Sequence, residues 1–239
     1  MDDPSIVGYR IVKADARPLA RLHRAAFPDF FLSRLGEAFL VQFYLGFVTD
    51  PTAVVAISRD PAGIPRGVAV GTTDPVGFYR RLLRRRLFGF AVASSVAALR
   101  DPLAAPRLLS ALAYRGSNPP GRTGALLGSI GVDPAWSGRG IGSALINGWT
   151  RQARRMGAET AFLTTDAIDN DPVNSWYRRE GWVLCDCYDA RPDRPMNRYE
   201  YDLLSIRDEV ERSSENIENV GGKIPLRECS RRVKCLGSK

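Results

Sequence analysis

Ala125-Leu126-Leu127-Gly128-Ser129-Ile130-Gly131-Val132, then Asp133-Pro134, then Trp136-Ser137-Gly138-Arg139-Gly140-Ile141-Gly142: the reading of this stretch decides the fold. Its first eight residues read as a strand, Asp133-Pro134 starts a turn, and a helix follows through Met156 until Gly157 stops it. The glycines at 138, 140 and 142 let the backbone take positive φ and come close to a ligand. The helix after them offers unpaired N–H groups and the positive end of its dipole, which together suit a pyrophosphate. Two other phosphate loops fail on spacing. A dinucleotide fold wants G-x-G-x-x-G, and from Gly138 the third glycine would fall at Ser143. A P-loop ends in Gly-Lys-Ser/Thr, and no Lys is present here. On its residues alone, the turn reads equally as a phosphate loop and as a plain tight turn.

Working outward toward the N-terminus, Tyr9 to Ala14 reads as a first strand and 16–27 as a helix ended by Pro28. Residues 33–49 read as a second helix, with Leu35, Phe39, Phe43 and Phe47 on one stripe and Ser33 as its N-cap. Thr52 to Ser58 and Arg66 to Thr73 read as a hairpin closed by Asp60-Pro61-Ala62-Gly63. Toward the C-terminus, Glu159 to Thr165 is a strand. A helix begins at Asp171 as N-cap with Pro172 first in the helix, and it ends at Gly181. Val183 to Tyr188 and Asn197 to Leu204 form a closing strand pair. The tail 205–239 is polar, has almost no apolar period, and reads as flexible.

Composition narrows the function classes. The chain has 239 residues, is 44% hydrophobic and 25% charged, and carries a formal net charge of +8. Such a balance is that of a soluble domain, and no apolar run reaches the ~18 residues of a membrane span. Met1-Asp2-Asp3-Pro4 lacks the basic start and apolar stretch of a secretory signal, so the expected location is cytoplasmic. The charge is uneven: residues 75–120 hold eight Arg against one Asp, while the body is near neutral. A basic pI therefore does not make this a nucleic-acid binder, and no nucleic-acid partner is expected. With a single His (His23) and with Cys185-x-Cys187 lacking two further ligands, no metal site is expected either. Cys229 and Cys235 read as free thiols.

Downstream of the glycine turn lies Thr164-Thr165-Asp166-Ala167-Ile168-Asp169-Asn170-Asp171-Pro172-Val173-Asn174-Ser175-Trp176-Tyr177-Arg178-Arg179-Glu180-Gly181-Trp182. The pairing resembles the GCN5-related N-acetyltransferase (GNAT) superfamily. The family's acyl-CoA loop is Gln/Arg-x-x-Gly-x-Gly/Ala. Residues 137–142 match it at Gly140 and Gly142 and depart at Ser137. The later stretch is similar to the family's Asn-x-x-Val-Asn-x-aromatic-Tyr-x-x-x-Gly-aromatic signature. The Thr-Thr-Asp run, Val173-Asn174 and Met196-Asn197 resemble a subgroup linked to bacterial surface-polysaccharide biosynthesis.

The resemblance implies an α/β fold with a mixed, mostly antiparallel central sheet flanked by helices. The acetyltransferase domain would span 5–204, with a basic helical insertion at 74–120. Acetyl-CoA would be the acyl donor, with its pantetheine arm pairing with backbone at Ile130, Gly131 and Val132. Its pyrophosphate would lie on the amides of Ser137, Gly138, Arg139, Gly140, Ile141, Gly142 and Ser143. Asn174 would touch the cofactor arm, and Tyr177 would protonate the departing thiolate, whose pKa near ~8.5 requires only modest proton donation. Asp166 at a strand end, Asp29, His23 and a water chain are the candidate bases for the amine, with no decision among them. The expected acceptor is a primary amine of a small molecule, with a nucleotide- or lipid-linked amino sugar as the subgroup's class. A protein or peptide amine, or a CoA-binding or membrane-docking module without catalysis, are the alternatives. The expected assembly is a monomer or homodimer.

The insertion carries Arg80, Arg81, Arg84, Arg85 and Arg86 beside the apolar Leu87-Phe88-Gly89-Phe90-Ala91-Val92-Ala93. It reads as a helical cap with a solvated arginine face, as a peripheral contact with an anionic membrane, or as a substrate-phosphate or dimer surface.

Overall fold

A run of β-branched residues at 53–59 pairs antiparallel with 65–72, and the rest of the first unit is built on this hairpin. The computed structural model describes residues 7–98, 124–191 and 194–206. The chain divides into two units, Met1–Ala158 and Glu159–Lys239. Seven strands are described, all antiparallel in the pairings given below, with helices packed on them, so the fold is mixed α/β as expected.

In the first unit the strands are β1 (Val7–Gly8), β2 (Ala53–Arg59), β3 (Pro65–Thr72) and β4 (Ala125–Val132), in that order across the sheet. The helices are α1 (Ala16–Ala26), the short α2 (Phe31–Arg34), α3 (Glu37–Thr49), α4 (Phe78–Arg85), α5 (Leu87–Ala98) and α6 (Ile141–Arg155). Missing side chains on β3 and β4 let helices lie close on both faces. A Cβ at Gly67 would meet Ile141 and Leu145 of α6, and one at Gly131 would meet Phe27 and Ala26 at the end of α1. Trp149 of α6 is fully buried and donates its indole N–H to the Val54 carbonyl at 3.1 Å, which satisfies the one polar atom that burial would otherwise strand.

Two expectations need correcting here. The first strand is only Val7–Gly8, and Tyr9 to Ala14 leads instead into a 3-10 turn at Lys13–Asp15. The carboxylate of Asp15 accepts the Val12 N–H at 2.7 Å and both ends of the Arg59 guanidinium at 2.6 and 2.8 Å. This polar anchor turns the chain where a strand would have continued. The helix expected over 33–49 is broken at Gly36, whose φ of +90° starts α3. Only glycine takes that conformation without strain, and Ser33 lies inside α2 instead of capping the longer helix.

In the second unit β5 (Thr160–Asp166), β7 (Arg194–Asp202) and β6 (Val183–Arg191) are adjacent in that order, both pairs antiparallel. Helix α7 (Asp171–Arg179) is capped by Asn170, one residue earlier than expected. Gly181, at φ +85°, turns the chain out of it as expected. Asp202 accepts the Leu204 N–H and ends β7 two residues before the expected boundary. The expected tail from 207 onward, with Cys229 and Cys235, and the insertion beyond residue 98 lie outside the described residues. No helix among the described residues is long and apolar enough to cross a membrane.

Candidate active site

The first unit holds the glycine turn. Gly138 and Gly140 both have positive φ, +74° and +75°, and a Cβ built at either would meet nothing within 4 Å. The turn is therefore glycine-rich because its conformation demands it and not because it is crowded, and the space in front of its backbone is open. Gly140 is the N-cap of α6. The amides of Gly138, Arg139, Gly140, Ile141 and Gly142 have no acceptor among the described residues. Ser137 differs, since its N–H already donates to the Pro134 carbonyl at 3.2 Å. Amides without an acceptor at a turn and a helix N-terminus are groups that an anion can engage.

Side chains outside the glycine run hold this turn. Asp133 accepts the Ala135 N–H and an Arg66 guanidinium N–H at 3.1 Å, and Arg66 is also paired with Asp60 at 2.7 Å. The Arg66 and Arg139 guanidiniums both lie over the Trp136 ring, 5.1 and 4.7 Å from its centroid. Arg139 is exposed and stands on this platform at the mouth of the turn, where a second charge toward a phosphate is useful.

On β4, Ile130 and Val132 are two residues apart, so their backbone groups address one edge of the strand. Gly131 and Gly128 each have a cause within the first unit. Gly131 makes room for Phe27. Gly128 sits where the β3–β4 register slips, Val70 pairing with Ser129 and Gly71 with Leu127, so it is the extra residue of a β-bulge.

The second unit gathers the remaining candidates. Tyr177 is 7% exposed and packs among Trp176, Trp182 and Tyr199, with ring centroids 4.9, 6.2 and 5.7 Å away. Burial, and next the Tyr199 phenol, push its hydroxyl far above the ordinary phenol range, so it keeps its proton at neutral and moderately alkaline pH. Asn174, one turn earlier, is 2% exposed. Its amide N–H groups donate to the carbonyls of Asp166 at 3.0 Å and Asn170 at 2.9 Å, and its Oδ1 accepts from Asn197 and Tyr199, both at 3.0 Å. Every hydrogen-bonding position of that amide is engaged within the unit. The side chain ties the start of α7 to β5 and β7, one turn before Tyr177.

Asp166 ends β5, with its side chain 46% exposed. Arg194 grips the carboxylate with two nitrogens, at 2.8 and 3.2 Å. The bidentate pair fixes the orientation of the carboxylate. His23 is enclosed by Phe27, Phe30, Phe43 and Tyr44 and bonds the Tyr44 hydroxyl through Nδ1 at 3.0 Å. That surrounding makes it a core residue. Asp29 is exposed, and Cys185 and Cys187 are half-buried on β6. Among the described residues no group of His, Cys, Asp or Glu is arranged to hold a metal.

Residues 66–182 match the family model described as the acetyltransferase (GNAT) family. A comparison with curated protein sequences gives no match. Solved structures share the fold. One, assigned to GNAT acetyltransferases and from Desulfovibrio desulfuricans, has a TM-score of 0.55 at 15% identity over 83% of this chain and 98% of its own. The ribosomal-protein-S18-alanine N-acetyltransferase of Escherichia coli has a TM-score of 0.50 at 13% identity over 85% of this chain and 96% of its own. The spermidine/spermine N-acetyltransferase SpeG of Vibrio cholerae has a TM-score of 0.50 at 13% identity over 87% of this chain and 99% of its own.

Proposed function

We propose that this chain is a GNAT-superfamily acetyltransferase and that it moves an acetyl group from acetyl-CoA to a primary amine of a small molecule by direct attack in a ternary complex. The observation that carries the reading is the open turn at 138–142, with its unpaired amides and two positive-φ glycines at the N-terminus of α6. Acetyl-CoA fits that turn through its diphosphate, and it supplies an activated thioester.

The chain's own residues supply position and protons. Amides 138–142 and Arg139 hold the diphosphate. Backbone at Ile130 to Val132 aligns the acyl arm, and an N–H there polarises the thioester oxygen as it gains charge. The free amine attacks the thioester carbon and the carbon–sulfur bond breaks. Tyr177 gives its proton to the sulfur, while the amine's surplus proton leaves to solvent or to Asp166. No covalent enzyme intermediate is required, because holding both reactants together provides most of the advantage.

For the acceptor, the reading favours an amino sugar carried on a nucleotide or lipid. The support is that three segments of the subgroup resemblance meet within the second unit. Met196 pairs with Asp166 across β5 and β7, and Asn197 and Asp166 both bond Asn174. Thiol release from acetyl-CoA, followed over nucleotide amino sugars, polyamines, aminoglycosides and peptides, tests this. Turnover confined to the amino sugars supports the full reading. Turnover on peptides alone moves the acceptor to proteins, and binding of acetyl-CoA with no release on any amine replaces the enzyme with a binding module.

A further inference from the structure

The arginines of α4 are divided by the fold. Arg81 and Arg85 turn inward to the buried carboxylate of Asp50, at 3.6 and 3.1 Å, while Arg80 and Arg84 are exposed. In α5, Phe90 packs on Phe39 of α3 with ring centroids 4.7 Å apart, and Phe88 is 87% exposed. A groove elsewhere in the first unit brings cationic and apolar residues together.

That groove has a volume of about 570 Å³ and is open to solvent on one side. The chain from Tyr9 to Ala14 forms one wall, the segment that leaves strand pairing ahead of the Asp15 anchor. The end of α3, at Phe47 and Val48, and the start of β2, at Ala53 and Val55, form the other. Ile11, Phe47 and Val55 are buried, so the base of the groove is apolar. The lining holds two charged residues, Arg10 and Lys13, and no acid. Both are exposed, and neither forms an ion pair among the described residues. Asp15, two residues beyond Lys13, is already committed to Arg59 at 2.6 and 2.8 Å. The Arg155 guanidinium lies over the Tyr9 ring at 5.5 Å and brings a third cation to this wall. The groove shares no residue with the glycine turn or with the candidates of the second unit.

We propose that this groove binds an amphiphilic organic anion, a medium-length apolar chain ending in a carboxylate or phosphate, with the chain lying on Ile11, Phe47 and Val55 and the head group facing Arg10 and Lys13. Size and lining are those of a small-molecule site, which typically spans ~300–1,000 Å³, is mostly apolar and orients its ligand by a few polar groups. The sign of the head group follows from the charge, since cations with no acid beside them in the lining attract an anion and repel a cation. A second copy of the chain, at a net charge of +8, would bring further positive charge to a wall that is already basic. The inference is independent of the acetyl-transfer reading.

The test is isothermal titration of the full chain with probes that share one apolar chain and differ in head group: octanoate, octan-1-ol and octylammonium. Octanoate should bind roughly fivefold or more tightly than octanol, octylammonium should bind most weakly, and added salt should narrow the difference. Octyl phosphate run beside octanoate reads which anionic head the groove prefers, and a preference for either over octanol supports the proposal. Arg10→Glu with Lys13→Glu should erase the preference for anionic heads, and Val48→Glu should abolish octanoate binding. Arg10 and Lys13 are exposed, so the paired variant should keep the wild-type thermal unfolding and decides the case even where Val48→Glu is destabilised. Saturating acetyl-CoA should leave octanoate affinity unchanged. Absence of binding by both anions, affinity no better than that of octanol, indifference to the paired charge reversal, or displacement by acetyl-CoA overturns the proposal. So does Val48-dependent self-association in probe-free sedimentation velocity, which would assign the groove to a second copy of the chain.

Discussion

Tyr177 owes its proposed role to its surroundings. Enclosed by Trp176, Trp182 and Tyr199, its phenol keeps its proton at neutral pH, so the proton it would give to the sulfur is in place there. Tyr177→Phe should lower kcat about 10- to 100-fold, the low end of general-acid effects because a thiolate is a good leaving group, with acetyl-CoA affinity within about twofold. Isothermal titration alongside thiol release separates the two, and an equal loss in both would return Tyr177 to packing. Asp15 tests a structural residue. Burial alone would raise its carboxyl, but the Arg59 pair and the Val12 N–H outweigh that and hold it below the usual range. The stability from a depressed acid is present above the ordinary carboxyl pKa of ~3.9 and is lost as pH falls through the folded value. Asp15→Asn should therefore cost ~2 kcal/mol at pH 7, and the gap should close in acid, as read by urea melts at both pH values. The three-residue spacing of Asn174 and Tyr177 was readable in the sequence. The partner of Asn174 was not, since Asn197 reaches it only through the register of β7.

Among the elements, the strand–turn–helix at 125–155 was the most legible, because an apolar strand, closely spaced glycines and an amphipathic helix each point the same way. Boundaries set by long-range polar contacts were not. The early end of β1 depends on Arg59, 44 residues from Asp15. The break before α3 came from one glycine whose φ no periodicity could reveal. The bulge at Gly128 was not legible either, since a bulge exists only relative to the partner strand. The glycines now separate into two kinds with different predicted behaviour. Gly140→Ala meets open space, so it should cost only the left-handed strain of about 1–2 kcal/mol while weakening acetyl-CoA binding measurably. Gly71→Ala would drive a methyl into the Leu126 backbone and the Trp149 ring, and should lower the melting temperature far more than Gly140→Ala does. Equal losses of stability in the two variants, with acetyl-CoA affinity unchanged in Gly140→Ala, would deny the turn its binding role.

For the molecule as a whole, charge distribution was a better guide than total charge. The excess of arginine in one internal segment pointed away from the body and toward the insertion, and the structure shows how that excess is divided between clamping and display. What no pattern could show was that α5 turns its apolar residues outward, because this depends on α3 accepting Phe90 and not Phe88. The central claim, that the turn before α6 holds the coenzyme, is tested most directly by a crystal structure of the full chain with acetyl-CoA. The account predicts diphosphate oxygens within hydrogen-bonding distance of the amides of residues 138–142. A diphosphate bound elsewhere, or a turn closed by side chains with the coenzyme supplied in excess, would contradict it.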